Sequence, residues 1–276
     1  MTFVLLTGAT RGIGQAAAIE LASQGVEVAL VGRDAGRVSA VASEARATGG
    51  GAPVHEHVAD LMLMAEVRAL ANEVRASYEH IDVLANNAGA VFASRKETSE
   101  GLEQTFALNH LAPFLLTNLL RDRLAGGRVV TTASGAHKAG HLDLGDLQAR
   151  RSYSAMRVYG TSKLCNILFT RELAKRAPEL RANCFHPGVV RTGFGKNENG
   201  LLRVVTTIGG PFLRSPQRGA RSLVWLALSP EAGALDGAYV YDEKVAQPDA
   251  QAQDETLAEG LWEQSAQLVG LSTAPA

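Results

Sequence analysis

The chain has 276 residues, 46% of them hydrophobic, with 27 Lys and Arg against 28 Asp and Glu. Near-zero net charge leaves no strong field to gather nucleic acid or an anionic membrane, and the length fits one α/β domain with a well-filled core. Cys165 and Cys184 are the only cysteines and no Cys/His group has structural-zinc spacing, so the expectation is a reduced compartment, free thiols and no metal.

The first predicted element is an apolar strand at 3–7, reached without a basic stretch, a long apolar segment or a small-residue cleavage site, which predicts a cytoplasmic protein. Helical periodicity follows at 13–24. Further strands are predicted at 26–31, 53–58, 81–85, 128–133, 181–185 and 238–241. Between them lie helices at 35–47, 62–78, 100–124, 153–176 and 217–228, then a tail helix carrying Leu257, Leu261, Trp262 and Leu268. The run Val28-Ala29-Leu30-Val31 is apolar throughout rather than alternating, the mark of a strand covered on both faces. The predicted fold is therefore α/β, a single-domain, Rossmann-like, doubly wound parallel sheet flanked by helices over 1–276. The glycines at 49–51 read as a connection, because strand-helix alternation resumes at once. The apolar segment 201–213 is interrupted by Arg203, two glycines and Pro211 and is too short to span a bilayer.

Gly8, Gly12 and Gly14 sit between the first strand and the first helix, where backbone N–H groups can face a pyrophosphate. Far downstream, Tyr159 and Lys163 stand four apart on a predicted helix and so share a face. A free phenol titrates near pH ~10, and bringing it to neutrality takes roughly 4 kcal/mol, much of which a neighbouring ammonium can supply. The alternative is an ordinary exposed pair at helical spacing. Ser134 follows the strand at 128–133, at the carboxyl edge where open α/β sheets bind ligands. His137, His141, Asp143 and Asp146 fit no usual ligand set and are expected in a solvated loop, while His110 and His186 are expected to be structural. No Gly-x-Ser-x-Gly elbow or His-Glu-x-x-His pair occurs, which disfavours hydrolase readings.

Thr7-Gly8-Ala9-Thr10-Arg11-Gly12-Ile13-Gly14, Asn86-Asn87-Ala88-Gly89 and Tyr159-Gly-Thr-Ser-Lys163, in this order, resemble the short-chain dehydrogenase/reductase family. The segments 109–117, 164–170 and 186–192 further resemble its retinol-dehydrogenase-like branch, and the resemblance runs from about residue 3 to 268. It implies an oxidoreductase that interconverts a carbonyl and an alcohol. On this likeness Ser134 holds the carbonyl, Tyr159 donates the proton, Lys163 lowers the tyrosine pKa and contacts the nicotinamide ribose, and Asn109 helps order a water relay. Gly8, Thr10, Arg11, Gly12, Ile13 and Gly14 would form the phosphate cradle, with Asp60 and Leu61 flanking adenine. Asn87, Ala88 and Gly89 would support the cofactor, and Pro187, Gly188, Val190 and Thr192 would approach the nicotinamide. Asp60 could instead cap a helix, Asn87 could stabilise a turn, and Pro187-Gly188 could merely end a strand.

Arg11 and Arg33 fall where a 2′-phosphate lies in this fold, and Gly32 stands where NAD-using relatives carry an acid. NADP(H) is therefore expected, with NAD(H) as the alternative, and Asp34 is expected to cap the following helix. The family places a substrate lid near 193–216, here with Phe194, Leu201, Leu202, Val204, Val205, Ile208, Phe212 and Leu213. These predict an apolar small-molecule substrate, or else packing against the core or a partner subunit. The expected function is NADPH-dependent reduction of a ketone or aldehyde, or its reverse. The other reading is a noncatalytic NADP(H)-binding sensor or interaction protein. The resemblance also implies a homodimer or homotetramer.

Overall fold

In the computed structural model, residues 1–190 and 213–271 are described. The strands are β1 (Phe3–Thr7), β2 (Glu27–Gly32), β3 (Val54–Val58), β4 (Val83–Asn86), β5 (Arg128–Thr132), β6 (Arg181–His186), β7 (Tyr239–Tyr241) and β8 (Lys244–Val245). They form one sheet in the order β3-β2-β1-β4-β5-β6-β7-β8, parallel except for the antiparallel β7–β8 pair. The continuous apolar runs find their explanation in this arrangement. Val4 and Leu6 of β1, with Val28 and Leu30 of β2, enter the core on one face, whereas Phe3, Leu5, Ala29 and Val31 enter the other. A strand side chain alternates faces, so only a sheet covered twice makes every position apolar.

One face is covered by α1 (Gly12–Ser23), α2 (Ala35–Thr48) and, late in the chain, α7 (Pro216–Leu228). The short α8 (Pro230–Gly233) joins α7 on that face, and the opposite face carries α3 (Met64–Ser77), α4 (Gln104–Phe106), α5 (Ala112–Leu119), α6 (Ala155–Arg176) and α9 (Glu255–Leu268). The tail helix joins this second core through Trp262, whose ring meets Phe114 at 4.9 Å and stacks on Phe169 at 5.9 Å. Aromatic pairs of this kind add about 1 kcal/mol each beyond the area they bury.

The helix expected over 100–124 is broken into pieces, and the reasons are local. Glu100 lies outside any helix and accepts the N–H groups of Met64 (2.6 Å) and Ala65 (2.9 Å), capping α3 across 36 residues where the N-cap residue Leu63 has no side-chain acceptor. Buried Glu103 caps α4 by accepting from Thr105 and Phe106. A π turn then occupies Ala107–Leu111, closed by the Ala112 N–H on the Ala107 carbonyl. Pro113 has no N–H to donate to the Asn109 carbonyl, and its ring needs space that the wider turn provides. The loop after Ser134 also differs from expectation. It is wound into 3₁₀ turns at Gly135–Ala139 and Leu144–Asp146, and His137 is buried rather than solvated. Among the described residues, no helix is long and apolar enough to cross a membrane.

Candidate active site

Strand β1 has β2 on one side and β4 on the other, so successive crossovers leave it in opposite directions and open a crevice at the carboxyl ends. The glycines of the first turn line that crevice by necessity. Gly8 has φ +65°, and a Cβ there would meet Ala88 Cα at 2.7 Å. A Cβ on Gly14 would stand 2.1 Å from the Gly8 carbonyl oxygen and 2.7 Å from Asn87 Nδ2. Asn87 stabilises the turn, its Nδ2 donating to the carbonyls of Thr7 (3.1 Å) and Gly8 (3.2 Å) while its own N–H reaches Thr7 Oγ1 (3.0 Å). Ala88 donates to the same hydroxyl. Gly12, with φ +54°, opens α1, and the N-cap residue Arg11 supplies no side-chain cap. Among the described residues no side chain caps the first N–H groups of α1, which fits an anion such as a dinucleotide pyrophosphate.

At the end of β2, a Cβ on Gly32 would lie 2.5 Å from Thr10 Cγ2 and 2.9 Å from Val38 Cγ2, so no acidic side chain fits there without displacement. Arg11 and Arg33 are exposed, and neither makes an ion pair among the described residues. Asp34 caps α2 as expected, accepting from the Arg37 N–H at 3.0 Å. Asp60 accepts from the Met62 N–H at 3.0 Å and closes a turn ahead of α3, with Leu61 buried beside it.

The other end of the crevice gathers the proton-handling candidates. On the N-terminal half of α6 the Tyr159 hydroxyl hydrogen-bonds the Ser134 side chain, and Lys163 Nζ lies 5.7 Å from the Tyr159 ring centre. Lys163 is 2% exposed and donates to the Thr132 carbonyl at 2.9 Å. A Cβ on Gly89 would come within 3.2 Å of Asn109 Oδ1 and 3.4 Å of Lys163 Nζ. Asn109, held in the π turn, accepts from Ala90 N–H (2.8 Å) and donates to the Ala90 carbonyl (2.9 Å) and Ser162 Oγ (3.0 Å). Ser162 in turn donates to the Tyr159 carbonyl. What Asn109 supplies directly is position, joining the β4 exit to α6. Pro187 and Gly188 follow β6, and Val190 packs near Ile13 against Gly219 of α7. Thr192 and residues 193–212 of the lid expected over 193–216 lie outside the described residues.

The short chain dehydrogenase family matches residues 2–200. The chain belongs to the short-chain dehydrogenase family. This dehydrogenase is 45% identical, over 97% of its length and 92% of the relative's, to a protein of Streptomyces sp. (strain C5) provisionally named daunorubicin C-13 ketoreductase DnrU. It is 38% identical to human retinol dehydrogenase 13, over 97% of this chain and 84% of that one. Among solved structures it is similar to an uncharacterised protein from Mycobacterium paratuberculosis, with TM-score 0.81, 31% identity and coverage of 99% and 95%. A Burkholderia cenocepacia J2315 short chain dehydrogenase solved in complex with NADP gives TM-score 0.70 at 25% identity, covering 87% and 95%. The dehydrogenase is thus an NAD(P)-dependent oxidoreductase acting on CH–OH or C=O groups.

The electrostatics of the dehydrogenase depart from expectation at one point. Burial raises the Tyr159 pKa, and the Ser134 hydrogen bond only partly opposes it, so the phenol is not held low. Burial also lowers Lys163, to about 8, because an ammonium ion loses hydration there. Both groups are pushed toward their neutral forms by the same desolvation. Three histidines hold structural places, His110 and His186 as expected and His137 against the expectation of a solvated loop. His137 and His186 bond the backbone around Ser134, and His110 is buried with its Nε2 2.9 Å from Ser265 Oγ of α9 and its pKa pushed down to about 3 by burial. The His-Pro-Gly triplet at 186–188 carried a signal, since it places a ring acceptor just before a turn.

Proposed function

We propose that this dehydrogenase uses NADPH to reduce an apolar ketone or aldehyde, with the reverse oxidation open to the same groups. The observation that carries the reading is the contact between the Tyr159 hydroxyl and Ser134 beside the buried Lys163 amine. A nicotinamide dinucleotide held by the turn at Gly8, Gly12 and Gly14 would supply the hydride for the carbonyl carbon. Tyr159 then donates its proton to the oxygen; its raised pKa keeps the phenol protonated through neutral pH but makes it a weaker acid, so the transfer depends on stabilising the phenolate. The Ser134 hydroxyl donates a hydrogen bond to the same oxygen as negative charge builds, and the Lys163 ammonium stabilises the phenolate left behind. Asn109 holds the Ala90 and Ser162 segments that frame these groups.

Preference for NADPH is supported by the two uncommitted cations Arg11 and Arg33 and by the lack of room for an acid at Gly32. The NADP-bound relative of known structure agrees with this choice. Preference for an apolar substrate is supported by Val189, 63% exposed beside Gly188, and by relatives named as a daunorubicin C-13 ketoreductase and as a retinol dehydrogenase. The test follows NADPH consumption across carbonyls graded by hydrophobicity, including retinal and daunorubicin. Turnover should rise with hydrophobicity, and Tyr159→Phe should remove roughly 100- to 10,000-fold of it. Full activity in Tyr159→Phe would overturn the assignment.

A further inference from the structure

Ser134 lies just past the end of β5, on an irregular turn, so the direction of its hydroxyl depends on how its peptide groups are held. Two histidines hold them. The Gly135 N–H donates to His186 Nδ1 at 3.0 Å, and the Gly188 N–H donates to the same nitrogen at 3.2 Å. From the other side, His137 Nδ1 lies 2.7 Å from the Ser134 carbonyl oxygen, and the Asp249 N–H reaches His137 Nε2 at 3.1 Å.

The partners fix the tautomers. A backbone N–H can only donate, so His186 Nδ1 is bare and its proton sits on Nε2; a carbonyl can only accept, so His137 carries its proton on Nδ1 and leaves Nε2 bare. A second proton on either ring would turn an acceptor into a donor aimed at another donor. The site is shaped for this ring, since a Cβ on Gly135 would come within 2.9 Å of His186 Nε2. His186 also stacks on Tyr241 at 4.9 Å and 16°, and His137 meets Tyr239 edge-on at 5.3 Å.

We infer that His186, opposed by His137, is a positioning residue for Ser134, its bare Nδ1 tying the serine turn to the Pro187-Gly188 turn so that the hydroxyl is held toward Tyr159. This rests on the proposed carbonyl reduction. The charged surroundings keep the rings neutral: burial, Arg214, His137 and Lys138 outweigh Asp242 and push His186 down to about 4, and burial with Lys138 lowers His137 against the Ser134 carbonyl and Asp249.

The test is a double-mutant cycle between His186→Leu and Ser134→Ala, reading kcat at saturating NADPH and carbonyl, with melting temperatures alongside. Alone, His186→Leu should lower kcat by about tenfold or more, and in the Ser134→Ala background by less than about threefold, because residues acting as a unit are non-additive. In His186→Asn the Oδ1 acceptor lies the same number of bonds from Cβ as Nδ1, and kcat should return to within about threefold of the wild type. His186→Gln, whose acceptor lies one bond farther out, should not recover, and it replaces His186→Leu if that variant fails to fold. Nitrogen-15 NMR of the wild-type enzyme at pH 7 should show Nδ1 unprotonated on His186 and protonated on His137. Additive losses, no recovery in His186→Asn, or the opposite tautomers would overturn the inference. A wild-type enzyme that reduces no carbonyl would overturn the functional reading instead, and the NMR result would still stand for or against the clamp.

Discussion

The two ends of the crevice are built from different materials. At the cradle the decisive property is empty space, with Gly8, Gly14 and Ala88 packed so closely that one added carbon meets backbone. At the proton-donor end the decisive property is desolvation, with Lys163 buried and several titrating side chains driven from their ordinary ranges. The first end is governed by repulsion between atoms that cannot move, the second by the cost of charge away from water. The cradle should therefore fail abruptly on substitution and ignore pH, whereas the proton-donor end should respond to pH by degrees.

The largest effect that would sharpen this contrast comes from Gly14→Ala. Its Cβ meets the Gly8 carbonyl, which cannot rotate away, so NADPH affinity should fall on the order of 100-fold, about 3 kcal/mol. Gly25→Ala is the control: nothing lies within 4 Å of that position, and its φ of +76° should cost about 1 kcal/mol of stability with no change in NADPH binding measured by calorimetry. Equal losses of affinity in both would break the comparison.

Next in size is Arg33→Ala. Loss of one charge-assisted contact to a 2′-phosphate, about 2 kcal/mol, should raise KM for NADPH roughly 30-fold and leave KM for NADH nearly unchanged. Steady-state kinetics with both cofactors reads the difference, and parallel increases would refute the assignment.

The smallest effect is a pH limb on turnover. Lys163 has a folded pKa of about 8, so its ammonium is present below that value and lost above it. The kcat for carbonyl reduction should be level near neutrality, fall by about half at pH 8 and then decline further as pH rises. The accompanying stability change has the opposite sign. The folded pKa lies below the unfolded value of 10.5, so the folded state holds fewer protons between about 8 and 10.5 and becomes more stable with rising pH in that window. A kcat that stays level to pH 9.5 would remove Lys163 from the proposed role.

Much of this molecule was legible in its sequence because the information was local. Unbroken runs such as Val28 to Val31 declared a sheet covered on both faces, and Gly8 and Gly14 declared a turn that side chains cannot share. Asp34 capped its helix as its position suggested. The parts that could not be read depend on partners far apart in the chain. Glu100 looked like the start of a helix, but its carboxylate belongs to the N-terminus of α3. His137 looked like a loop residue until Asp249, 112 positions away, claimed its ring. The Tyr159–Lys163 spacing correctly put both on one helix face, yet the sign of the phenol's shift depended on burial, which spacing does not encode.

The π turn at Ala107–Leu111 amounts to one surplus residue in an otherwise helical stretch. Deleting a single residue there would yield a smoother helix by every local rule, but would rotate whatever precedes the cut by about 100° around the axis. The Asn109 amide could then no longer bridge Ala90 and Ser162. Regularity is here the enemy of alignment: the irregular turn is what lets two distant stretches of backbone meet at one carboxamide.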